Sequence, residues 1–246
     1  MNIISIDNLK KRYSNHFTLD IPSVSIDKGS IVGLVGNNGA GKTTFLRLLL
    51  DLLRPDTGKI ILNGIDISNS DQWRSCTSCF LDDGFLLDYL AVSEFLSFKA
   101  SVYHMSDTDY RTAIARWKRL FDNETDIAGK LIKNLSTGNR QKVGIISAVM
   151  LSPEILVLDE PFNYLDPSSQ YEVMSNLKEL NKRKGTTILF SSHNLDYVAE
   201  LSSRILLMEN GSIKGDFNTS DADVLFLLKG YFRSQYNVTK DGGSTI

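Results

Sequence analysis

Hydrophobic residues follow two different patterns along this chain. Three runs of strand length are almost wholly apolar, namely Ser30–Val35, Ile155–Leu158 and Thr187–Phe190. Such runs are typical of strands that are buried on both faces of a parallel sheet. Between residues 91 and 131 the apolar positions instead recur at helical spacing, as in Phe95, Phe98, Val102, Ile114, Trp117 and Leu120. Strands that alternate with helices predict an α/β fold with a mostly parallel sheet, and the middle segment predicts an inserted helical lobe.

Two Asn-Gly pairs indicate tight turns. Asn63-Gly64 follows the apolar run Lys59–Leu62, and Asn210-Gly211 comes shortly after Ile205–Met208. An Asn-Gly pair supplies the two positive φ values that a two-residue hairpin needs. The chain therefore carries antiparallel pieces as well, and we expect an antiparallel β subdomain at its N-terminus.

Composition narrows the class of protein. The chain has 246 residues, of which 42% are hydrophobic and 23% are charged, with a formal net charge of −2. This content supports a packed core and excludes collagen-like and disordered chains, while the absence of a basic excess disfavours nucleic acid as a partner. No apolar run reaches the roughly 18 residues of a membrane helix, and the first residues lack a basic signal segment. We therefore expect a cytoplasmic protein.

The chain has two cysteines, Cys76 and Cys79. Their C-x-x-C spacing would suit a redox pair or one half of a zinc site. No second pair of this kind exists, and both residues lie in or next to a predicted strand that ends at Phe80. We therefore favour two ordinary structural cysteines over a functional pair.

A glycine-rich loop follows the first buried strand. It matches the pattern G-x-x-x-x-G-K-S/T ahead of an apolar helix, with the residues Gly36, Asn37, Asn38, Gly39, Ala40, Gly41, Lys42, Thr43 and, next in the helix, Thr44. Glycines let backbone N–H groups point inward, and the helix N-terminus adds partial positive charge. Lys42 would reach the β and γ phosphates, and Thr43 would offer its hydroxyl to Mg²⁺. The loop therefore predicts a cradle for a nucleoside triphosphate.

Asp159, Glu160 and His193 stand just beyond the ends of the two other apolar strands. The carboxyl ends of parallel strands share one edge of a sheet, so we expect these side chains near the glycine loop. We assign Asp159 to a metal ion and Glu160 to the water that attacks the γ phosphate. The alternative is that the two carboxylates only cap the following turn. For His193, a bond to the γ phosphate or that water competes equally with a buried histidine that has no catalytic role.

A third motif resembles the Leu-Ser-Gly-Gly-Gln signature of the ATP-binding cassette (ABC) family. It spans residues 135–142 and reads Leu-Ser-Thr-Gly-Asn-Arg-Gln-Lys. The glycine loop, this motif, Asp159-Glu160, Leu165-Asp166 and His193 occur in the order of that family, and the resemblance covers about residues 3–216. The interval from Lys42 to the motif resembles that of transporter subunits, whereas chromosome-maintenance and DNA-repair relatives insert a long coiled coil there. The resemblance implies a P-loop NTPase core that binds ATP and Mg²⁺.

The same resemblance implies further site residues. Tyr13 would stack on adenine, with an exposed strand aromatic as the alternative. The γ phosphate bound to the opposite protomer would meet the signature residues, which are Ser136, Thr137, Gly138 and Asn139. Two chains, identical or different, would then enclose two nucleotides, with Asp166 near the seam. A separate transmembrane permease would dock on the helical lobe at the inner face of the cell membrane.

Some positions depart from the family pattern. Asp82 stands where the family usually has glutamine; it could still hold Mg²⁺ through water, but it adds negative charge to the site. Thr137 replaces the first signature glycine and would be strained if the backbone there required positive φ. Asn139 replaces the signature glutamine, and Asn163-Tyr164 replaces small residues. We therefore expect slow turnover or pairing with a non-identical partner.

Three functions follow as hypotheses. The first is the ATPase subunit of an ABC transporter, with the acidic pair Asp82-Asp83 favouring export. The second is a soluble ABC ATPase of an assembly scaffold, and the third is a regulatory module that binds ATP with little turnover. We expect a nucleotide-binding domain over residues 1–220, which includes a helical subdomain at about 85–150. A C-terminal extension would cover residues 221–246, with a disordered end.

Overall fold

A computed structural model of the chain describes residues 1–14, 17–121, 127–221 and 223–241; of residue 14 and residues 234–241 it describes only the backbone. The strands are β1 (Asn2–Ser14), β2 (Phe17–Asp27), β3 (Ile31–Val35), β4 (Thr57–Leu62), β5 (Ile65–Asp66), β6 (Thr77–Phe80), β7 (Ile155–Leu158), β8 (Thr187–Ser192), β9 (Arg204–Glu209) and β10 (Ser212–Asn218). The α-helices are α1 (Lys42–Leu49), α2 (Val92–Val102), α3 (Asp107–Trp117), α4 (Thr137–Val149), α5 (Pro167–Lys184), α6 (Leu195–Leu201) and α7 (Val224–Asp241).

The strands form two sheets. The larger has the order β10-β9-β3-β8-β7-β6, and it is parallel apart from the β9–β10 hairpin. The smaller has the order β2-β1-β4-β5 and is antiparallel throughout. The predicted α/β class, mostly parallel sheet and N-terminal antiparallel subdomain are confirmed.

Both predicted hairpin turns adopt the left-handed backbone. Asn63 and Gly64 have φ of 50° and 80° between β4 and β5, and Asn210 and Gly211 have φ of 46° and 78° between β9 and β10. Two consecutive positive φ values match the right-handed twist of the paired strands. These turns are thus set by their own residues.

The core forms two layers, one on each face of the large sheet. Because side chains alternate along a strand, each apolar strand supplies both layers. In β3, for example, Val32 and Leu34 pack toward α1 and the small sheet, whereas Ile31 and Val35 pack toward the helices of the other face. Because β3, β8 and β7 are parallel neighbours in the sheet between these two layers, their carboxyl ends lie at one edge.

The predicted helical lobe is present and comprises α2, α3 and short 3₁₀ turns up to α4. Of its predicted apolar face, Phe95, Trp117 and Leu120 are buried. Phe98 and Val102 are instead 53% and 54% exposed. The lobe therefore keeps part of its apolar surface exposed.

Three further sequence predictions concern the two cysteines, the C-terminal extension and the lack of a membrane-spanning helix. Cys76 and Cys79 are free thiols, and Cys76 donates a weak hydrogen bond to the Trp73 carbonyl. The predicted C-terminal extension contains α7, but residues 242–246, which we expect to be disordered, lie outside the described residues. Within the described part of the chain, no helix is both long enough and apolar enough to cross a membrane.

Candidate active site

The glycine loop lies between β3 and α1 and wraps around the Lys42 side chain. Lys42 is 7% exposed, and its Nζ donates to the Gly36 carbonyl at 2.7 Å. Gly41 has φ of 105° at the start of α1, a conformation that a residue with a Cβ resists. A Cβ at Gly36 would lie 2.3 Å from the Met208 carbonyl, so the loop can pack against β9 only with glycine there. The loop and the helix N-terminus together have the geometry that the predicted anion cradle requires.

Asp159 is held by two hydroxyl groups. Thr43 Oγ1 donates to its Oδ2 at 2.6 Å, and Ser191 Oγ donates to its Oδ1. The carboxylate is 8% exposed, and a buried carboxylate requires such partners. Asp159 therefore lies directly beside the loop residue that we predict to bind the metal.

Glu160 is held in a left-handed backbone conformation with φ of 47°. Its N–H donates to Ser191 Oγ at 2.8 Å, and its carbonyl accepts a hydrogen bond from Gln141 Nε2 at 3.1 Å. Non-glycine residues adopt this conformation only where the surroundings compensate for its strain. The two hydrogen bonds supply that compensation and hold the Glu160 backbone, and therefore its Cα and Cβ, in place.

The Glu160 carboxylate lies between a lysine and a histidine. Its Oε1 is 3.8 Å from Lys42 Nζ, and its Oε2 is 2.9 Å from His193 Nδ1. His193 is 58% exposed, so the alternative of a buried histidine is wrong. The sheet thus joins residues from three strand ends into one polar cluster.

A cleft of about 460 Å³ opens beside this cluster. Tyr13 and Phe17 stand at its side, with ring centroids 6.3 Å apart and Tyr13 53% exposed. An exposed ring at the cleft edge can stack on a base. The cleft is lined by Tyr13, Phe17, Asn37, Asn38, Gly39, Gly41, Lys42, Thr43, Thr44, Asp159 and Glu160.

Comparisons with known proteins show the family of the chain. A family model described as "ABC transporter" matches residues 19–163, which is more than half of the chain. The chain belongs to the ABC transporter family. It is an ATP-binding subunit of that family, and therefore an ATPase.

Relatives of this ABC subunit serve transport in both directions. A probable sulfate/thiosulfate import ATP-binding protein of Chlorella vulgaris is 32% identical over 85% of this chain and 89% of its own length. An SkfA peptide export ATP-binding protein of Bacillus subtilis is 31% identical over 88% of this chain and 89% of its own length. The likeness therefore leaves the direction of transport open.

Solved ABC structures share the fold. An ATP-binding subunit of an ABC transporter superposes with a TM-score of 0.82 at 27% identity, over 93% of this chain and 95% of that one. A dimeric cassette in a post-hydrolysis state, bound to ADP and phosphate, superposes with a TM-score of 0.76 at 21% identity. The second comparison covers 88% of this chain and 98% of that one, and it supports the fold alone.

The ABC signature segment begins α4. Ser136 caps the helix, with its Oγ accepting from the Asn139 N–H at 3.3 Å. Thr137 is the first residue of α4 and is not among the positive-φ residues, so the strain that we considered for it does not arise. A Cβ at Gly138 would lie 2.7 Å from the Tyr164 carbonyl, which explains glycine there. None of Ser136–Asn139 lines the cleft of the same chain.

Asp166 caps the next helix, α5. Its carboxylate accepts from the Ser169 hydroxyl at 2.5 Å and from the Ser169 N–H at 3.0 Å. These hydrogen bonds favour the ionised form and lower the pKa of Asp166 from 3.8 to about 2. The carboxylate therefore stays charged in the loop that we predict to lie near the dimer seam.

Asp82 has partners outside the cleft. Its Oδ2 pairs with Arg47 of α1 at 3.0 Å, and its Oδ1 accepts from the Gly84 N–H at 2.8 Å. Asp82 does not line the cleft, so its role as a metal ligand stays a prediction. An exposed ion pair contributes about 1 kcal/mol or less, so the pair with Arg47 does not lock Asp82 in place.

Three residues of the site escaped the sequence analysis. Ser191 bridges Asp159 and Glu160, Gln141 holds the Glu160 carbonyl, and Phe17 lines the cleft with Tyr13. Ser191 had a signal, because it lies at the polar end of an apolar strand, two residues before His193. Phe17 lies four residues after Tyr13, and Gln141 lies within the signature segment 135–142, but neither position shows by itself that the side chain reaches the site.

The donor set suits a magnesium ion bound together with a nucleotide. The hydroxyl of Thr43 and the carboxylate of Asp159 supply hard oxygen ligands side by side. No group of three or more His, Cys, Asp or Glu side chains among the described residues could hold a metal alone. Mg²⁺ usually takes one or two protein oxygens and completes its shell with phosphates and water. The site fits that mode of binding.

Proposed function

We propose that this chain binds ATP with Mg²⁺ in the cleft and hydrolyses it to power an ABC transporter through a separate membrane subunit. The observation that carries the proposal is the position of the Glu160 carboxylate. It lies beside the anion cradle, within 3.8 Å of Lys42 Nζ and 2.9 Å of His193 Nδ1. A carboxylate with its backbone fixed at this place can accept a proton from an attacking water.

Each residue of the cluster then has a distinct role. Lys42 and the loop amides bind the phosphates, and Tyr13 stacks on the base. Thr43 and Asp159 would hold Mg²⁺, which on binding neutralises phosphate charge. Glu160 orients the water and accepts its proton, while His193 keeps the Glu160 carboxylate in place and donates toward the γ phosphate.

The signature helix supports an ATP-dependent dimer. The N-terminus of α4 offers a serine hydroxyl and the backbone N–H groups of its first turn, yet it does not line the cleft of its own chain. The N-terminus of a helix as long as α4, which has 13 residues, attracts an anion. We infer that Ser136, Thr137, Gly138 and Asn139 meet the ATP of a second subunit, identical or homologous, with Asp166 at the seam.

The helical lobe supports a membrane partner. Phe98 and Val102 stay exposed on α2, as a docking surface requires. The chain would therefore sit at the cytoplasmic face of the membrane, bound to its permease. The acidic pair Asp82-Asp83 favours export, and the Bacillus subtilis export relative is compatible with that direction.

Replacing Glu160 with glutamine tests the proposal. Glu160→Gln keeps the size of the side chain but removes its basicity, so phosphate release should fall by about 10² to 10⁴-fold while ATP still binds. Glu200→Gln is the matched control, because Glu200 lies on the surface and its one ion pair among the described residues is with Lys178. Equal phosphate release from wild type and Glu160→Gln would disprove the assigned base. Loss of ATP binding in Lys42→Ala would independently confirm the cradle.

A further inference from the structure

The C-terminal helix α7 packs against α6, the short helix that follows His193. Val224 and Leu228 of α7 lie one turn apart on the same face of the helix, and they are 4% and 1% exposed. They belong to the same core layer as Val198 and Leu201 of α6. The C-terminal extension, to which the proposed function gives no role, is therefore built onto the helix that begins just beyond the site.

His193 connects the nucleotide cleft with a second groove. Its Nδ1 lies 2.9 Å from Oε2 of Glu160, which lines the cleft. The described lining of the cleft does not include His193 itself, which instead lines a groove of about 670 Å³ between α6 and α7. The groove and the cleft share no lining residue. The contact between Glu160 and His193 thus joins the cleft to the surface where α7 packs.

An ion pair beside this groove joins α7 to the first turn of α6. Lys229 Nζ lies 2.7 Å from Asp196 Oδ1, and Asp196 comes three residues after His193. The Asn194 side chain caps α6 by accepting from the Asp196 N–H at 2.9 Å. A force that holds the Asp196 carboxylate therefore also restrains the backbone directly next to His193.

Helix α6 is held by α5 on one side and by α7 on another. The Tyr197 hydroxyl donates to Gln170 of α5 at 2.6 Å, while Lys229 of α7 pairs with Asp196. A helix of seven residues is not stable without tertiary contacts, so its first turn depends on these neighbours. The position of the turn that follows His193 is thus set in part by α7.

We propose that Lys229 is a positioning residue for ATP hydrolysis: its ion pair with Asp196 holds the first turn of α6, and thereby the His193 ring, against Glu160. The inference rests on the proposed function, in which His193 keeps the Glu160 carboxylate in place, and it gives the C-terminal helix a role in that function. Lys229 is not part of the described lining of the cleft, so it acts on turnover and leaves ATP binding unchanged. The ion pair is exposed, with Lys229 49% and Asp196 73% accessible, so its loss should lower kcat by about two- to fivefold.

A double-mutant cycle in steady-state ATP hydrolysis tests the pairing. Lys229→Met keeps the apolar stem without the charge, and it should lower kcat by about two- to fivefold at an unchanged KM for ATP. Asp196→Asn should have the same effect, and the double variant should lose no more than either single variant. Lys229→Arg should retain the wild-type kcat, because it keeps the charge. Losses that multiply in the double variant would overturn the inference.

Lys178→Met is the matched control for the cycle. Lys178 of α5 pairs with Glu200 near the other end of α6 at 3.1 Å, and the two side chains are 43% and 55% exposed. The substitution removes a similar surface ion pair from the same helix, away from the turn next to His193. It should leave kcat at the wild-type value. Equal losses in Lys178→Met and Lys229→Met would show that α6 only needs general support, and the assigned role of Lys229 would fall.

Histidine NMR spectra separate this inference from the proposed function. The chain has three histidines, so their imidazole signals can be assigned by substituting each in turn. Lys229→Met should shift the His193 signal and leave the signal of His104, which lies in the helical lobe, unchanged. A His193 signal that does not move overturns the inference and leaves the proposed function intact. A shifted signal at unchanged kcat overturns the role of His193 in the proposed function and, with it, this inference.

Discussion

Replacing Ser191 with alanine removes the hydroxyl that joins the two carboxylate residues of the site. Ser191 Oγ donates to Asp159 and accepts from the Glu160 N–H at 2.8 Å. The residue is fully buried, so no water replaces the lost partner. Both Asp159 Oδ1 and the Glu160 N–H would be left unpaired, and the left-handed backbone at Glu160 would lose one of its two anchors.

The size of the effect follows from the two bonds. A hydrogen bond to a charged group contributes about 1.5–3 kcal/mol, and a neutral one contributes about 1 kcal/mol. We expect Ser191→Ala to lower the free energy of unfolding by about 2–4 kcal/mol, which for a chain of this size is a fall of roughly 5–15 °C in melting temperature. Phosphate release should fall as well, because the Glu160 backbone loses a hydrogen bond and its carboxylate is positioned less precisely.

Ser78→Ala is the matched control for this prediction. Ser78 lies in the same large sheet and is 3% exposed, but its hydroxyl has no partner among the described residues. The same atom is deleted at equal burial, so the cavity term cancels in the comparison. Urea denaturation should show Ser78→Ala at or slightly above wild-type stability. Equal loss of stability in both variants would refute the hydrogen-bond argument, because burial alone would then explain it.

Three other predictions concern the stacking of Tyr13 on adenine, the carboxylate of Asp166 near the proposed dimer interface, and the packing of Gly144 in the core. Tyr13→Ala should weaken ATP binding by about 1–3 kcal/mol whereas Tyr13→Phe should not, and titration calorimetry that found equal losses would exclude stacking. The pKa of Asp166 is lowered from 3.8 to about 2, so the ionised carboxylate stabilises the fold above pH 3.8, and this contribution is lost as the pH falls through 2. The difference in melting temperature between wild type and Asp166→Asn should therefore shrink as the pH falls over that interval. A difference that stays constant would contradict the assignment. Gly144→Ala would place a Cβ 2.1 Å from the Phe80 ring and should destabilise the fold by about 1–3 kcal/mol in chemical denaturation. Gly230→Ala is the control, because a Cβ there meets nothing within 4 Å and the backbone is not left-handed.

Much of the site could be predicted because its elements are local. The order of glycines and lysine in residues 36–43 specifies a loop of fixed backbone shape, and the apolar strands before Asp159 and His193 specify where polar side chains emerge. Even the two hairpins follow from single Asn-Gly pairs. Parallel pairing then brings the strand ends together, because all of them point the same way.

Other features could not be predicted, because they join residues that are distant in sequence. The exposure of His193 depends on how α6 packs, and the pairing of Asp82 with Arg47 depends on how α1 lies against the loop after β6. Side-chain type alone allowed a buried histidine and a metal-bound aspartate at these two positions. Their surroundings exclude the buried histidine and give Asp82 another partner.

The sequence by itself determined the phosphate loop, the carboxylates beyond β7 and the α/β class, since each depends on backbone preferences and periodicity within a few residues. Only the tertiary structure decided that Ser191 links Asp159 to Glu160 and that Asp82 pairs with Arg47. The physical reason is that hydrogen bonds and desolvation depend on every group within a few ångströms of an atom. Those groups are gathered from across the chain by the packing of its two core layers.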